Sequence, residues 1–200
     1  MGASQVCGFL KSDSSRATPN LQFHVQPIST DILGASKLHD FDGITPTVAN
    51  IRPSSRGEIS IISNDSRVNP KIKMNYLSTE DDRMVAAQGL KLVRKIMLET
   101  KTFKKYEPEE YRPGVHITKD EELVKAGSEF TQTIFHPVGT CKMGKDENAV
   151  VNDKLYVRGL KNLRVVDASI MPNITSGNTN APTIMIAEKG AEFILNNQTK

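Results

Sequence analysis

Apolar and polar residues alternate in the first part of the chain with the two-residue period that is typical of β-strands. The alternation over residues 21–28 predicts a half-buried strand that ends at an edge or a bend, because Pro27 has no backbone N–H to donate. Residues 47–53 and 57–63 are two further β-rich runs, and the turn-forming residues between them predict a hairpin. Residues 31–45 have no clear period and are predicted to be a loop.

The hydrophobic period changes to that of a helix from Ser78 onward. Ser78 or Thr79 can cap this helix, with an aspartate three residues later, and its predicted buried stripe is Ala86, Leu90, Val93 and Met97. A capping box at residues 118–121 predicts a shorter helix that runs to about Phe130. A last helix is predicted to start near Pro182 and to bury Ile184, Ala187, Ala191, Ile194 and Leu195.

The order of these elements predicts the fold class. Short apolar runs at residues 155–157 and 163–166 predict two brief strands before the last helix. Strands followed by helices, without regular alternation, favour an α+β fold in which an antiparallel sheet has helices packed on one side. The sequence has no internal repeat and no low-complexity tract.

Composition narrows the class of protein. With 200 residues, 38% of them hydrophobic and 24% charged, the chain can bury one ordinary core and is not expected to be disordered. The net charge of +3 is spread along the chain, so nucleic acid is not an expected partner. The two cysteines form no CxxC pair, and no metal is expected. No apolar run approaches the roughly 20 residues of a membrane span, and the N-terminus does not have a secretory pattern, which favours a cytoplasmic location.

The chemistry is concentrated in the last third of the chain. Residues 136–140 read His-Pro-Val-Gly-Thr, residues 163–172 read LRVVDASIMP, and residues 176–183 read SGNTNAPT. These motifs resemble the C-terminal signature of the glucose-methanol-choline (GMC) family of FAD-dependent alcohol oxidoreductases, and in particular its choline and alcohol dehydrogenase branch. Weaker matches at residues 52–57, 69–70 and 75–77 extend the resemblance over nearly the whole chain.

The resemblance implies a domain organisation. Residues 1–150 correspond to part of the substrate-binding domain, a sheet backed by helices over the flavin. Residues 151–200, with a final strand and helix, correspond to the segment that returns to the FAD domain. The family binds FAD through an N-terminal Gly-x-Gly-x-x-Gly turn, but none of the 13 glycines here are two apart. A missing N-terminal FAD-binding domain is therefore an expected partner.

The resemblance also implies catalytic residues. Oxidation of an alcohol needs a group that takes the hydroxyl proton while a hydride leaves carbon, and imidazole is the side chain best suited to this near neutral pH. His136 stands where the family has this base. Asn178 stands at the family's second catalytic position, where its amide can orient the alcohol and hydrogen-bond the developing alkoxide.

Five further residues are implied in cofactor binding. Asp167 and Ala168 match the strand end whose backbone meets the ribityl-phosphate portion of the flavin. Asn180, Ala181 and Pro182 match the segment that contacts the isoalloxazine ring. Because they open a helix, the helix dipole and free N–H groups would favour negative charge on the reduced flavin.

Two functions follow as hypotheses. The first is an FAD-dependent dehydrogenase that oxidises a primary alcohol, choline-like or aliphatic, to an aldehyde, with the FAD domain absent from this chain. The second is a catalytically inactive, stand-alone substrate-domain remnant that acts as a binding module. A hydrolase is disfavoured, because Cys141 forms no Cys/His dyad and no nucleophile elbow accompanies Ser169. The alcohol and the electron acceptor (oxygen, quinone or another carrier, with membrane association through it) stay open.

Overall fold

The structure, a computed structural model, describes residues 4–31 and 37–198. The strands of this part of the chain are β1 (Val6–Leu10), β2 (Leu21–Gln26), β3 (Thr45–Asn50), β4 (Glu58–Ser60) and β5 (Lys71–Lys73). Its α-helices are α1 (Glu80–Arg94), α2 (Lys101–Lys104), α3 (Asp120–Ser128) and α4 (Asn180–Gln198). A π-helical turn (Lys95–Glu99) follows α1, and a 3₁₀ turn (Ala168–Ile170) precedes α4.

The chain divides into two compact units. The first unit contains residues 1–55 and 76–132, and the second contains residues 56–75 and 133–200. These limits do not coincide with the predicted division at residue 150. Which family domain each part of the chain belongs to stays a prediction.

The first unit is an antiparallel sheet covered by helices. Its strands lie in the order β1-β2-β3, with Leu21 of β2 between Leu10 and Asn50. Helix α1 packs against β3, and α3 packs against α1. The core contains Leu21, Phe23 and Val85. The predicted α+β class is therefore confirmed.

The predicted strand at residues 21–28 exists, but its environment differs from the prediction. It is the central strand of its sheet. Its first three residues are all buried, whereas the prediction was that buried and exposed residues alternate. Its edge partner β1 was missed by the sequence analysis, because Val-Cys-Gly-Phe-Leu is short and contains no polar alternation. The sequence of this strand does alternate, but the alternation does not separate a buried face from an exposed one, because the polar residues Gln22 and Gln26 are buried as well.

The predicted hairpin of residues 47–53 with 57–63 is wrong. Strand β3 pairs with β2, whereas β4 pairs with β5 through the opposed residues Ile59 and Ile72. The turn that was expected to join a hairpin is instead held by Asp82 of α1. Its carboxylate accepts hydrogen bonds from the backbone N–H groups of Ser54 (2.9 Å) and Ser55 (2.8 Å).

The N-terminus of α1 begins where the sequence indicated. Thr79 is the N-cap, and its hydroxyl oxygen accepts a hydrogen bond from the Asp82 N–H at 3.3 Å. The Asp82 side chain does not complete the capping box, because it bonds to the turn before the helix. The predicted stripe is largely half-buried apart from Met97, which is buried; Val85, Ala87 and Gly89 are buried as well. Contact with both β3 and α3 accounts for this broad interior face.

Two other helix predictions need correction. Helix α3 begins at Asp120 after Lys119, which makes no side-chain capping bond, so Thr118 is not the cap. Its three acidic residues in the first turn stabilise the helix start through the dipole instead. The predicted strands near residues 155–157 and 163–166 are isolated bridges, one of them between Tyr156 and Arg164. In the predicted loop at 31–45, residues 32–36, which include Gly34, lie outside the described residues.

Helix α4 starts with Pro182 in its first turn, as predicted, but its predicted buried face is wrong. Ile184, Ala187, Ala191, Ile194 and Leu195 are all exposed. The residues that pack inward are Ile186 and Gly190, which are buried, and Phe193, which is half-buried against the same core. A Cβ at Gly190 would lie only 2.3 Å from Val166, so the helix approaches the preceding segment closely on the opposite face. No helix of the described part of the chain has the length and apolar character needed to cross a bilayer.

We expect Asp82→Asn to destabilise the first unit by roughly 2–3 kcal/mol, because it disrupts a buried, charge-assisted hydrogen-bond cluster. Burial raises the pKa of Asp82, but hydrogen bonds from Ser55 and Ser54 outweigh burial and leave it below the ordinary 3.8. A lowered folded pKa means that this stabilisation is present above pH 3.8 and is lost as the pH falls further.

Urea unfolding at neutral and acidic pH measures both effects. Asp81→Asn is the matched control, because it removes the same charge from the same helical turn at a half-buried ion pair with Arg16. We expect the control to cost at most about 1 kcal/mol. Equal losses in the two variants would show that the carboxylate of Asp82 does not organise this turn.

Candidate active site

The segment after His136 is fixed to the 3₁₀ turn of the second unit. The Cys141 N–H donates to the Ser169 carbonyl at 3.0 Å, and the Met143 N–H donates to the Ile170 carbonyl at 2.7 Å. Val138 and Met143 also pack against a buried cluster that includes Ile170. These contacts hold the end of the segment that follows the histidine.

Gly139 permits the tight path of this segment. Its φ of +92° lies in the left-handed region, which favours glycine. A Cβ at this position would also lie 3.4 Å from the Met171 carbonyl. The glycine of the His-Pro-x-Gly-Thr motif therefore serves the backbone, as its residue type indicated.

The structure brings the two predicted catalytic residues together. The Asn178 amide nitrogen lies 2.9 Å from Nε2 of His136, although the two residues are 42 positions apart. The imidazole is half-buried, and Asn178 is exposed. One ring nitrogen and one amide therefore meet at an accessible surface.

Thr179 occupies the other side of the ring and was missed by the sequence analysis. Its hydroxyl oxygen lies 2.9 Å from Nδ1 of His136, and its backbone N–H points at the same nitrogen from 3.4 Å. Thr179 is 7% exposed, and its carbonyl accepts the hydrogen bond of Thr183 N–H that opens α4. No sequence spacing signals this contact, because it joins a side chain to a ring 43 residues away.

The predicted cofactor residues Asp167 and Ala168 lie at the start of the 3₁₀ turn. The Asp167 carboxylate caps this turn by accepting from the Ser169 N–H at 2.8 Å and from its hydroxyl at 2.5 Å. Ala168 is half-buried beside the core of the second unit. The Asp167 side chain thus has a structural partner, and its carbonyl accepts the Ile170 N–H at 3.3 Å. A role of this turn in cofactor binding stays a prediction.

The other predicted cofactor residues, Asn180, Ala181 and Pro182, form the first turn of α4. Asn180 and Ala181 are exposed, and N–H groups at this position have no partner within a helix. Helix α4 carries no acidic residue in its first turn, whereas the first turns of α1 and α3 carry three each. The positive end of α4 is therefore not neutralised by its own side chains, which suits an anionic group.

Phe135 is a further unusual residue beside the histidine. Its φ of +63° is rare for a bulky side chain, and the residue is 81% exposed. Strained backbone at such a position is common next to functional groups. Within the described residues, no cluster of three or more His, Cys, Asp or Glu side chains could hold a metal ion.

A protein-family model described as GMC oxidoreductase matches residues 53–187. The chain belongs to the GMC oxidoreductase family. The matched region contains His136, Asn178 and all five predicted cofactor residues, so the resemblance seen in the motifs is confirmed.

Curated relatives of this GMC chain include dehydrogenases. Alcohol dehydrogenase (acceptor) of Pseudomonas putida is 46% identical over 94% of this chain and 34% of its own length. Oxygen-dependent choline dehydrogenase of Proteus mirabilis is 44% identical over 97% of this chain and 35% of its own length. The chain therefore spans about a third of the length of these relatives.

Solved structures share the fold. Pyridoxine 4-oxidase from Mesorbium loti superposes with a TM-score of 0.84 at 29% identity, covering 95% of this GMC chain and 37% of that one. A formate oxidase variant of Aspergillus oryzae RIB40, solved to examine FAD modification, superposes with a TM-score of 0.82 at 25% identity, covering 92% and 32%.

Proposed function

We propose that this chain is the C-terminal, alcohol-activating part of an FAD-dependent dehydrogenase that oxidises a primary alcohol, choline-like or aliphatic, to an aldehyde. The observation that carries the proposal is the accessible pair of His136 Nε2 and the Asn178 amide, 2.9 Å apart. Relatives named alcohol dehydrogenase and choline dehydrogenase support the substrate class.

The pair can perform the protein's share of alcohol oxidation. The substrate hydroxyl takes the place of the Asn178 amide at Nε2 of His136 and transfers its proton there as the O–H bond breaks. The Asn178 amide donates a hydrogen bond to the developing alkoxide and fixes its direction. Bound FAD would supply the acceptor for the hydride, whose departure from carbon leaves the carbonyl double bond in the aldehyde.

The residues at the start of α4 fit a flavin. Asn180 and Ala181 are exposed at the helix start, and the absence of acidic residues from this turn favours an anionic partner. Pro182 is half-buried and fixes the first turn without adding a donor. Asp167 and Ala168 would contribute their backbone to the same cofactor.

The pyrophosphate of FAD needs a further binding region, because this sequence has no Gly-x-Gly-x-x-Gly turn. The exposed apolar face of α4, including Ile184, Met185 and Leu195, supports a partner surface here. The partner we propose is the N-terminal FAD-binding domain, and the location proposed for the assembled protein is the cytoplasm. A binding module without catalysis is the alternative, and activity of the assembled protein separates the two.

In the assembled flavoenzyme, we expect His136→Ala to lower kcat/KM for alcohol oxidation by roughly 10²–10⁴, the range for loss of a positioned acid or base. Steady-state kinetics with a primary alcohol measure the effect. His116→Ala is the matched control, because His116 is exposed and lies in the first unit. Activity of the His136 variant within about threefold of wild type would remove His136 from catalysis.

Replacement of Asn178 should show the role of the amide. We expect Asn178→Ala to reduce turnover by about 10²-fold, because the alkoxide loses a hydrogen-bond donor. Asn178→His should retain part of the activity, since imidazole offers a similar donor. An alanine variant with wild-type turnover, together with an inactive histidine variant, would assign Asn178 a structural role only.

Flavin binding should require the proposed partner. The purified 200-residue chain is expected to be colourless, to hold no stoichiometric FAD and to oxidise no alcohol. Adding the FAD-binding domain of the same protein in trans is expected to give a yellow complex, which absorbance and gel filtration would detect. Stoichiometric flavin in the isolated chain would overturn the proposed division of labour.

A further inference from the structure

Each ring nitrogen of His136 has its own short contact. Nε2 faces the Asn178 amide at 2.9 Å, and Nδ1 faces the Thr179 hydroxyl at 2.9 Å. Asn178 is exposed, whereas Thr179 is buried. The Nδ1 side of the ring is therefore closed, and the Nε2 side is the one that an alcohol can reach.

The two contacts together select one tautomer. A neutral imidazole has one N–H donor and one acceptor nitrogen. If the amide N–H₂ group of Asn178 donates to Nε2, the ring proton must lie on Nδ1. A hydroxyl can accept a hydrogen bond, so the Thr179 oxygen can receive that Nδ1–H.

The backbone N–H of Thr179 opposes this tautomer, because it also points at Nδ1. Its distance of 3.4 Å is longer than the usual 2.9–3.0 Å for such a bond, whereas the hydroxyl stands at 2.9 Å. A hydroxyl can donate or accept, so its short distance does not by itself choose the tautomer. The Asn178 amide is the closer donor, at 2.9 Å from Nε2 against 3.4 Å for the backbone donor at Nδ1, which favours a proton on Nδ1. The group that can accept this proton is the Thr179 hydroxyl. Removing it would leave only the backbone donor at Nδ1, which favours a proton on Nε2.

We propose that Thr179 is a positioning residue whose hydroxyl keeps the proton of neutral His136 on Nδ1 and leaves Nε2 free to accept the proton of the alcohol. The inference rests on the proposed role of His136 as the proton acceptor. Thr179 touches the imidazole and not the alcohol. It acts by setting the tautomer and by holding the ring against the start of α4.

Nuclear magnetic resonance of the 200-residue chain with ¹⁵N-labelled histidine rings tests the tautomer without flavin. The His136→Gln spectrum identifies the signals of His136 among those of the four histidines. Wild type is expected to show an unprotonated Nε2 in its neutral form. Thr179→Val, which keeps the side-chain shape but has no hydroxyl, is expected to place the proton mainly on Nε2, and Thr179→Ser is expected to restore the wild-type signal.

Thr183→Val is the matched control. It removes a hydroxyl from the same helical turn, one that donates to the Thr179 carbonyl at 2.6 Å, and it is expected to leave the tautomer unchanged. A protonated Nε2 in wild type would overturn the proposal. So would an unchanged tautomer in folded Thr179→Val, or an equal change in Thr183→Val. Thr179→Ala repeats the measurement if circular dichroism shows that the valine variant is unfolded.

Kinetics of the assembled flavoenzyme complete the test. Thr179→Val is expected to lower kcat about tenfold with KM within about twofold, and Thr179→Ser is expected to recover most of kcat. A changed tautomer with unchanged kcat would overturn the positioning role. Full activity of His136→Ala would instead contradict the proposed function, while the tautomer of the isolated chain would still report on Thr179 alone.

Discussion

Two backbone hydrogen bonds hold the candidate site together, from Cys141 to the Ser169 carbonyl and from Met143 to the Ile170 carbonyl. They join the segment after His136 to the 3₁₀ turn at Ala168–Ile170, whose Ile170 lies in the core of the second unit. The segment that carries the imidazole is thus attached to a packed element through backbone hydrogen bonds, which do not depend on the identity of the side chains. This explains how the segment can hold the imidazole in place while most of its own side chains are half-exposed.

The first unit uses a carboxylate for a comparable purpose. Asp82 stands where a capping box would turn it back onto its own helix, but it binds the N–H groups of Ser54 and Ser55. A residue with local capping chemistry therefore makes a long-range connection. The side-chain amide of Asn50, the last residue of β3, also donates to Asp82 at 3.2 Å, so the same carboxylate fixes the end of that strand against the start of α1.

The sequence predicted the helices and the site better than the strand pairing. The cap at Thr79 and the approach of Asn178 to His136 were predicted because both follow from local spacing or from a family motif. The partner of β3 was not predictable, because turn residues at 53–57 suit a hairpin and only a distant aspartate shows that they form none. The prediction of the buried face of α4 was wrong for another reason. Periodicity shows that a face is apolar, but it does not show whether this chain covers it.

Neither local spacing nor the family motif predicted the contact of Thr179 with His136. A threonine before a helix is ordinary capping chemistry, and nothing in its neighbours points to a ring 43 residues earlier. Its place at the positive end of α4 gives the contact its meaning. That end stabilises negative charge and opposes positive charge nearby, so an imidazolium formed at His136 needs an acceptor on the side facing the helix. The Thr179 oxygen offers a lone pair there. An aliphatic side chain would leave Nδ1–H facing only the backbone donor. With the Thr179 hydroxyl in place, the start of the helix can favour an anion and still lie beside a protonated ring.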